Sequence, residues 1–213
     1  AAVYKHVVGS LNYLVRCTRY DIGYAVSRLS SKMGCPDQGG WKSMLHLLGY
    51  LRDTLSTLSF RIGCIFGADS DRFQFFVDSD HCSDCAMTTR SQTGILIFLN
   101  GCPVEWASRR QPVTAVSPAE AEIYAMREGV VAGRLVQWVA EEMTIKVFWP
   151  FLIKSDSTQA VSFQKAIAPN SKLRRVFDMR DTAVQELRDQ RIAKSIHILR
   201  DLNVADLLTH CLS

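Results

Sequence analysis

The stretch Phe73-Gln74-Phe75-Phe76-Val77-Asp78-Ser79-Asp80 decides how this sequence reads. Its apolar, aromatic first half predicts a buried strand, and its second half carries two carboxylates with one residue between them. Alternate residues of a strand share a face, so Asp78 and Asp80 point the same way. A buried ionised carboxylate is costly unless something pairs with it, and a divalent cation is a common partner. The rest of the chain is therefore read for further carboxylates that could reach the same spot.

Immediately downstream, Gly94-Ile95-Leu96-Ile97-Phe98-Leu99 predicts a second strand. Asn100-Gly101 is a strong two-residue hairpin signal, and Pro103–Ser108 is the return strand. Together these make a three-stranded antiparallel meander. A long helix then starts at Ser117, with Pro118 in its first turn and Glu120 placed for an S-x-x-E capping box. Glu120 thus has a structural role, whereas Glu122 shares a small, apolar stripe with Met126, Gly129, Val130 and Gly133. A carboxylate on that inward stripe is a functional candidate; Glu120, Arg127, Arg134 and Glu141 lie on the opposite, polar face. Val147–Lys154 predicts another strand, followed by Asp156 at the entry to a short helix. By itself Asp156 reads as an N-cap. A helix on Leu173, Val176, Phe177, Arg180, Ala183, Val184 and Leu187, a strand over Ser195–Leu199 and a last short helix capped by Asn203 complete the pattern. In that last helix Asp206 interrupts an apolar run.

Upstream, residues 3–34 predict helix, with Val7, Val8, Leu11, Leu14 and Val15 followed by Ile22, Ala25, Val26 and Leu29 at helical spacing. Cys35–Gly40 is a turn cluster. Trp41–Asp53 predicts an amphipathic helix with Trp41, Met44, Leu45, Leu48 and Leu51 on one stripe. A weak strand near Ser59–Ile62 leads to a domain boundary near residue 70.

Composition agrees with a folded protein of one or two domains. The 213 residues are 47% hydrophobic and 22% charged, enough for a sizeable core. No apolar run approaches the roughly 20 residues of a membrane helix, and the start lacks a signal-peptide pattern. The opening Ala1-Ala2-Val3 predicts a piece of a longer polypeptide. Seven scattered cysteines suit free thiols in a reducing compartment better than a disulfide framework. Cys82-Ser83-Asp84-Cys85 with His81 is the weaker reading of a zinc or redox site, because no second ligand pair follows. The net charge of +4 is concentrated upstream: residues 1–70 hold 8 Lys/Arg against 4 Asp/Glu, and residues 71–213 hold 17 of each. A polyanionic partner and ordinary surface charge are both compatible with that split.

Taken together, the motifs resemble the ribonuclease H region of copia-type LTR retrotransposon polyproteins. Phe76-Val77-Asp78-Ser79-Asp80 is similar to Y-S-D-A-D in that family, and Thr89–Gly94 to R-K-S-T-S-G. Trp106–Pro112 is similar to W-x-S-K-K-Q, and Ser117–Ala125 to S-S-T-E-A-E-Y-x-A. Ser155–Ala160 is similar to C-D-N-Q-S-A, and Ala205–Thr209 to A-D-I-L-T-K. Upstream, Val8–Leu14, Thr18–Ile22 and Ala25–Ser30 resemble the tail of the family's reverse transcriptase. Tyr20, His81, Val176 and His210 depart from the family's usual Pro, Trp, His and Lys.

The resemblance implies a type 1 ribonuclease H-like α/β fold: a five-stranded mixed sheet in the order 3-2-1-4-5, flanked by helices. It implies a reverse transcriptase C-terminal segment over residues 1–70, thumb- or connection-like, small and mainly helical, and the ribonuclease H-like domain over 71–213. The implied activity is metal-dependent endonucleolytic hydrolysis of the RNA strand of RNA–DNA hybrids, with Asp78, Glu122, Asp156 and Asp206 holding two Mg²⁺ ions, or Mn²⁺ in their place. In this arrangement Asp78 bridges both ions, Glu122 and Asp156 serve one side and Asp206 the other, while Asp80 is a neighbour of the site. Ser79, Arg90 and Gln92 are candidates to touch the hybrid, and Lys172, Arg174 and Arg175 to bind phosphates; the hybrid would be read by shape and 2′-OH groups. The implied partners are the hybrid and the reverse transcriptase domain of the same polyprotein, with no membrane, in cytoplasmic virus-like particles or the nucleus. Two alternatives stay open: a degenerate module that only binds nucleic acid or scaffolds the polymerase, and another nuclease of the superfold such as an integrase, whose D-D-E order puts Glu last rather than second.

Overall fold

A computed structural model of the chain describes residues 1–58, 73–82, 89–145, 150–165 and 179–210. The strand read first, β1 (Phe73–Asp80), is the centre of a five-stranded sheet with the order β3-β2-β1-β4-β5. Strands β2 (Gln92–Leu99) and β3 (Cys102–Arg110) form the antiparallel meander with it. Asn100 and Gly101 take φ of 51° and 78°, the left-handed pair that a two-residue hairpin of matching twist needs. Strands β4 (Phe151–Ser155) and β5 (Ala193–His197) join in parallel on the other side. The mixed sheet has the strand order expected of a ribonuclease H-like fold, with helices flanking it.

One face of the sheet is covered by α4 (Pro118–Glu142), α5 (Thr158–Lys165) and α6 (Met179–Asp189). Phe75, Val77, Ile95, Ile97, Ile123, Met126, Val130, Phe151 and Ile153 form the core between them. Complete burial of a side chain such as Phe75 or Ile153 stabilises the fold by about 1.5–3 kcal/mol. The small residues on the inward stripe of α4 set how close helix and sheet come. A Cβ on Gly129 would lie 2.3 Å from Val77 Cγ1, a separation no methyl group tolerates.

The N-terminal residues pack as α1 (Ala2–Cys17), α2 (Gly23–Ser31) and α3 (Gln38–Thr54) around Tyr4, Val8, Leu11, Ile22, Val26, Met44, Leu47 and Leu51. Two sequence expectations change here. The helix expected over residues 3–34 breaks at Thr18–Ile22, where Arg19 pairs with Asp21 at 2.7 Å and also reaches Thr54 Oγ1 at 2.9 Å. Tyr50 donates to the same Asp21, so this break ties the turn to α3. In α3 the buried stripe is Met44, Leu47 and Leu51, while Leu45 and Leu48 are exposed, because the helix presents the face one residue around from the expected one. Asp37 caps α3 through Gly40 N–H. The weak strand near Ser59–Ile62 and the boundary near residue 70 lie outside the described residues.

The helical unit meets the second face of the sheet. Trp106 on β3 donates from its indole N–H to Val15 O at 2.7 Å and packs on Tyr20. Beside them Phe76, Leu96, Ala205 and Leu208 close a small apolar cluster under the 3-10 turn Val204–Leu208.

Candidate metal-binding active site

Asp78 lies in the second half of the central strand and is 3% exposed. Its neighbour across the sheet is Gly94 on β2. A Cβ at Gly94 would lie 2.7 Å from Ala205 O, so only glycine lets the turn carrying Asp206 settle against the sheet beside Asp78. On the parallel side, Phe75 and Phe76 pair with Ile153 and Lys154, and two residues further along Asp156 leaves β4 level with Asp78. The fourth carboxylate, Glu122, comes from the first turns of α4. Ser117 caps that helix by accepting from Glu120 N–H, and Glu120 reaches back to Val116 N–H at 2.7 Å. The capping box therefore closes one residue further upstream than its usual partner, and it leaves Glu122 aimed inward.

The expected N-cap role of Asp156 is overturned. Ser157 supplies the cap, accepting from Ala160 N–H at 3.2 Å, so the Asp156 carboxylate turns to the site. Asn203 ties the centre together: its amide lies 3.1 Å from Val77 O, 3.3 Å from Asp78 Oδ1 and 3.2 Å from Asp156 Oδ1, and its Oδ1 accepts from Ala205 N–H. The Thr209 hydroxyl donates to Asp78 Oδ2 and sits 3.0 Å from Asp206 O.

Two sets of metal-ligating atoms result, each with its members within 4.8 Å of one another: Asp78, Glu122 and Asp156, and Asp78, Asp206 and His210. Asp78 belongs to both. The electrostatics of such crowding are visible in the carboxyl groups. Burial raises the Asp78 pKa to about 6, Thr209 opposes the rise, and Asp156 and Asp206 add to it. Glu122 rises to about 9, first from burial and then from the charges of Asp78 and Asp156, with Ser79 partly offsetting them. Glu122 Oε2 is enclosed and has no hydrogen-bond partner among the described residues. An enclosed carboxylate oxygen with nothing to accept from, beside two further carboxylates, fits a divalent cation by its donor chemistry.

Other sequence candidates fall differently. Ser79 sits next to Glu122 with its hydroxyl enclosed. Arg90 is exposed at the approach to β2. Gln92 does not face outward: it is 7% exposed, and its amide donates to Ser27 Oγ at 3.0 Å and Ser108 Oγ at 2.8 Å. Through these bonds it links β2 to α2 and β3. Lys172, Arg174 and Arg175 lie outside the described residues, as does Cys85 of the C-x-x-C. Asn203, read only as a cap, and Thr209 and His210, not read as site residues, are the additions that folding makes.

The chain is 29% identical over 210 residues, 97% of its length, to the retrovirus-related Pol polyprotein from transposon TNT 1-94 of Nicotiana tabacum, of which it spans 15%. Over 160 residues, 74% of its length, it is also 29% identical to the Pol polyprotein from transposon RE2 of Arabidopsis thaliana, of which it spans 10%. Its homologues are retrovirus-related, copia-type Pol polyproteins of plant transposons, and the match covers most of the chain. The chain corresponds to a small part of each of these polyproteins. No protein-family model matches it. Among solved structures, LC11-RNase H1 in complex with an RNA/DNA hybrid is 15% identical, with a TM-score of 0.47 over 64% of this chain and 92% of that one. Among the described residues, no helix is long and apolar enough to cross a membrane.

Proposed function

We propose that this chain is a segment of a Pol polyprotein and a ribonuclease H that hydrolyses the RNA strand of RNA–DNA hybrids during retrotransposon reverse transcription, with two divalent cations held by Asp78, Glu122, Asp156 and Asp206. The observation that carries the reading is the convergence of three further carboxylates, from three separate parts of the fold, on the buried Asp78. The motif order shared with copia-type Pol supports it, as does the fit of the enclosed Glu122 oxygen to a cation.

Bound divalent cations would supply Lewis-acid activation of water and neutralise charge at the leaving oxygen. The chain's own residues do the positioning. Asp78 is shared between the two sets, so its orientation couples them, and Thr209 and Asn203 hold its two oxygens. Asn203 likewise holds Asp156. Ser79 and Arg90 are assigned to the hybrid, and Lys172, Arg174 and Arg175 to its phosphates. Residues 1–70 are assigned as the reverse transcriptase tail, and the remainder of that polymerase as the working partner.

The test is cleavage of a labelled RNA–DNA hybrid by the purified chain in Mg²⁺ or Mn²⁺. Activity that Asp78→Asn abolishes, by at least about 10³-fold for a group at the centre of the chemistry, supports the reading. Hybrid binding without cleavage in either metal overturns it and leaves a nucleic-acid scaffold.

A further inference from the structure

The two ligand sets around Asp78 differ in chemistry. Asp78, Glu122 and Asp156 offer only oxygen, whereas Asp78, Asp206 and His210 include an imidazole nitrogen. His210 is held where it is by the turn that carries Asp206: its backbone N–H donates to Asp206 O at 3.1 Å, which brings the two side chains one helical step apart. His210 Nε2 and Asp206 Oδ1 are 3.7 Å apart, too far for a hydrogen bond. Arg200 reaches the same oxygen at 3.7 Å from an exposed position, so it also leaves that oxygen open to a better partner. Donors on one octahedral ion with bonds of about 2.1 Å lie roughly 3 Å apart when adjacent and about 4.2 Å apart when opposite. The 3.7 Å between His210 and Asp206 falls between those values, and the whole set lies within 4.8 Å.

We propose that His210 is a nitrogen ligand to the cation shared by Asp78 and Asp206, which makes this position select Mn²⁺ over Mg²⁺. The inference rests on the metal-dependent reading above and adds to it a ligand and a metal preference. Mg²⁺ takes oxygen donors and keeps its waters, whereas imidazole suits the transition metals. One of the paired positions is then oxygen-only and tolerant of Mg²⁺, and the other is biased towards the softer ion.

Pulsed electron paramagnetic resonance on the full chain loaded with Mn²⁺ reads this directly, because a coordinated imidazole imprints ¹⁴N modulation on the Mn²⁺ signal. The expected result is ¹⁴N modulation in the wild type that disappears in His210→Ala and His210→Gln, while both variants keep the wild-type circular dichroism and melting temperature. Calorimetric titration should show Mn²⁺ affinity at one site falling at least roughly tenfold, the scale on which even outer partners of a ligand act, with Mg²⁺ affinity changed less than about twofold. Mn²⁺ binding with no ¹⁴N modulation, or modulation that survives in both His210 variants, overturns the proposal and leaves the nuclease reading standing. Absence of Mn²⁺ binding in the wild type, or binding unaltered in Asp78→Asn, overturns both.

Discussion

Glu122 and Asp78 give the residue-scale behaviour of the metal-free protein a definite sign. Both carboxyl groups have folded pKa values above those of an unfolded chain, at about 9 and about 6. The folded state therefore holds protons that the unfolded state releases, so this contribution to stability is complete below about pH 4 and is lost as pH rises through 6 and then 9. In chelator, the melting temperature should fall between pH 5 and pH 8, and Glu122→Gln should flatten that fall and melt higher than wild type at pH 8. The same variant should lose hybrid cleavage. Added Mg²⁺ or Mn²⁺ should recover the melting temperature of the wild type at pH 8 and do little for Asp78→Asn. Asn203→Leu should disorder both Asp78 and Asp156, cost about 1–3 kcal/mol in denaturant unfolding and weaken metal binding together with stability.

Among the elements, the sequence was legible wherever one local rule acted alone. The aromatic run of β1, the Asn100-Gly101 hairpin and the Ser117 start of α4 each follow from chemistry within a few residues. The inward stripe of α4 was legible for the same reason, and it was enough to separate Glu122 from Glu120. Misreadings came where a distant partner decided the outcome. Nothing local indicates that Arg19 and Asp21 will be held by Thr54 and Tyr50 on α3, so the helix break between α1 and α2 was not foreseen. Nothing local to Gln92 indicates that Ser27 and Ser108, far off in sequence, will take its amide. Asp156 had a good local explanation that Ser157 took over. The close packing of α4 on β1 makes its own prediction. Gly129→Ala must push Val77 aside and should cost about 1–3 kcal/mol, seen as a lower denaturation midpoint with unchanged slope.

For the whole molecule, the three-helix unit and the sheet share an interface made of side chains that neither would bury alone. Trp106 has its indole hydrogen bond on Val15 and its ring on Tyr20. Removing residues 1–58 should therefore expose Trp106, shift its fluorescence to the red and raise dye binding to apolar surface, and hybrid cleavage should fall with it. A truncated chain with wild-type stability and cleavage would show that the interface is dispensable. The four carboxylates needed the resemblance to a known family as well as local reading, because residues 78, 122, 156 and 206 meet only after the sheet has assembled.

Ser27 holds Gln92, Gln92 holds Ser108, and Ser108 donates at 2.6 Å to the carbonyl of Leu208, in the turn that carries Asp206. A thread of three side chains thus runs from near the start of the chain to a carboxylate near its end. A lesion in the second helix would reach the carboxylate cluster without altering one of its members. If the proposed assignment of a polymerase tail joined to a nuclease holds, selection would see the two as one heritable unit, since a change in the tail would be felt at the carboxylates.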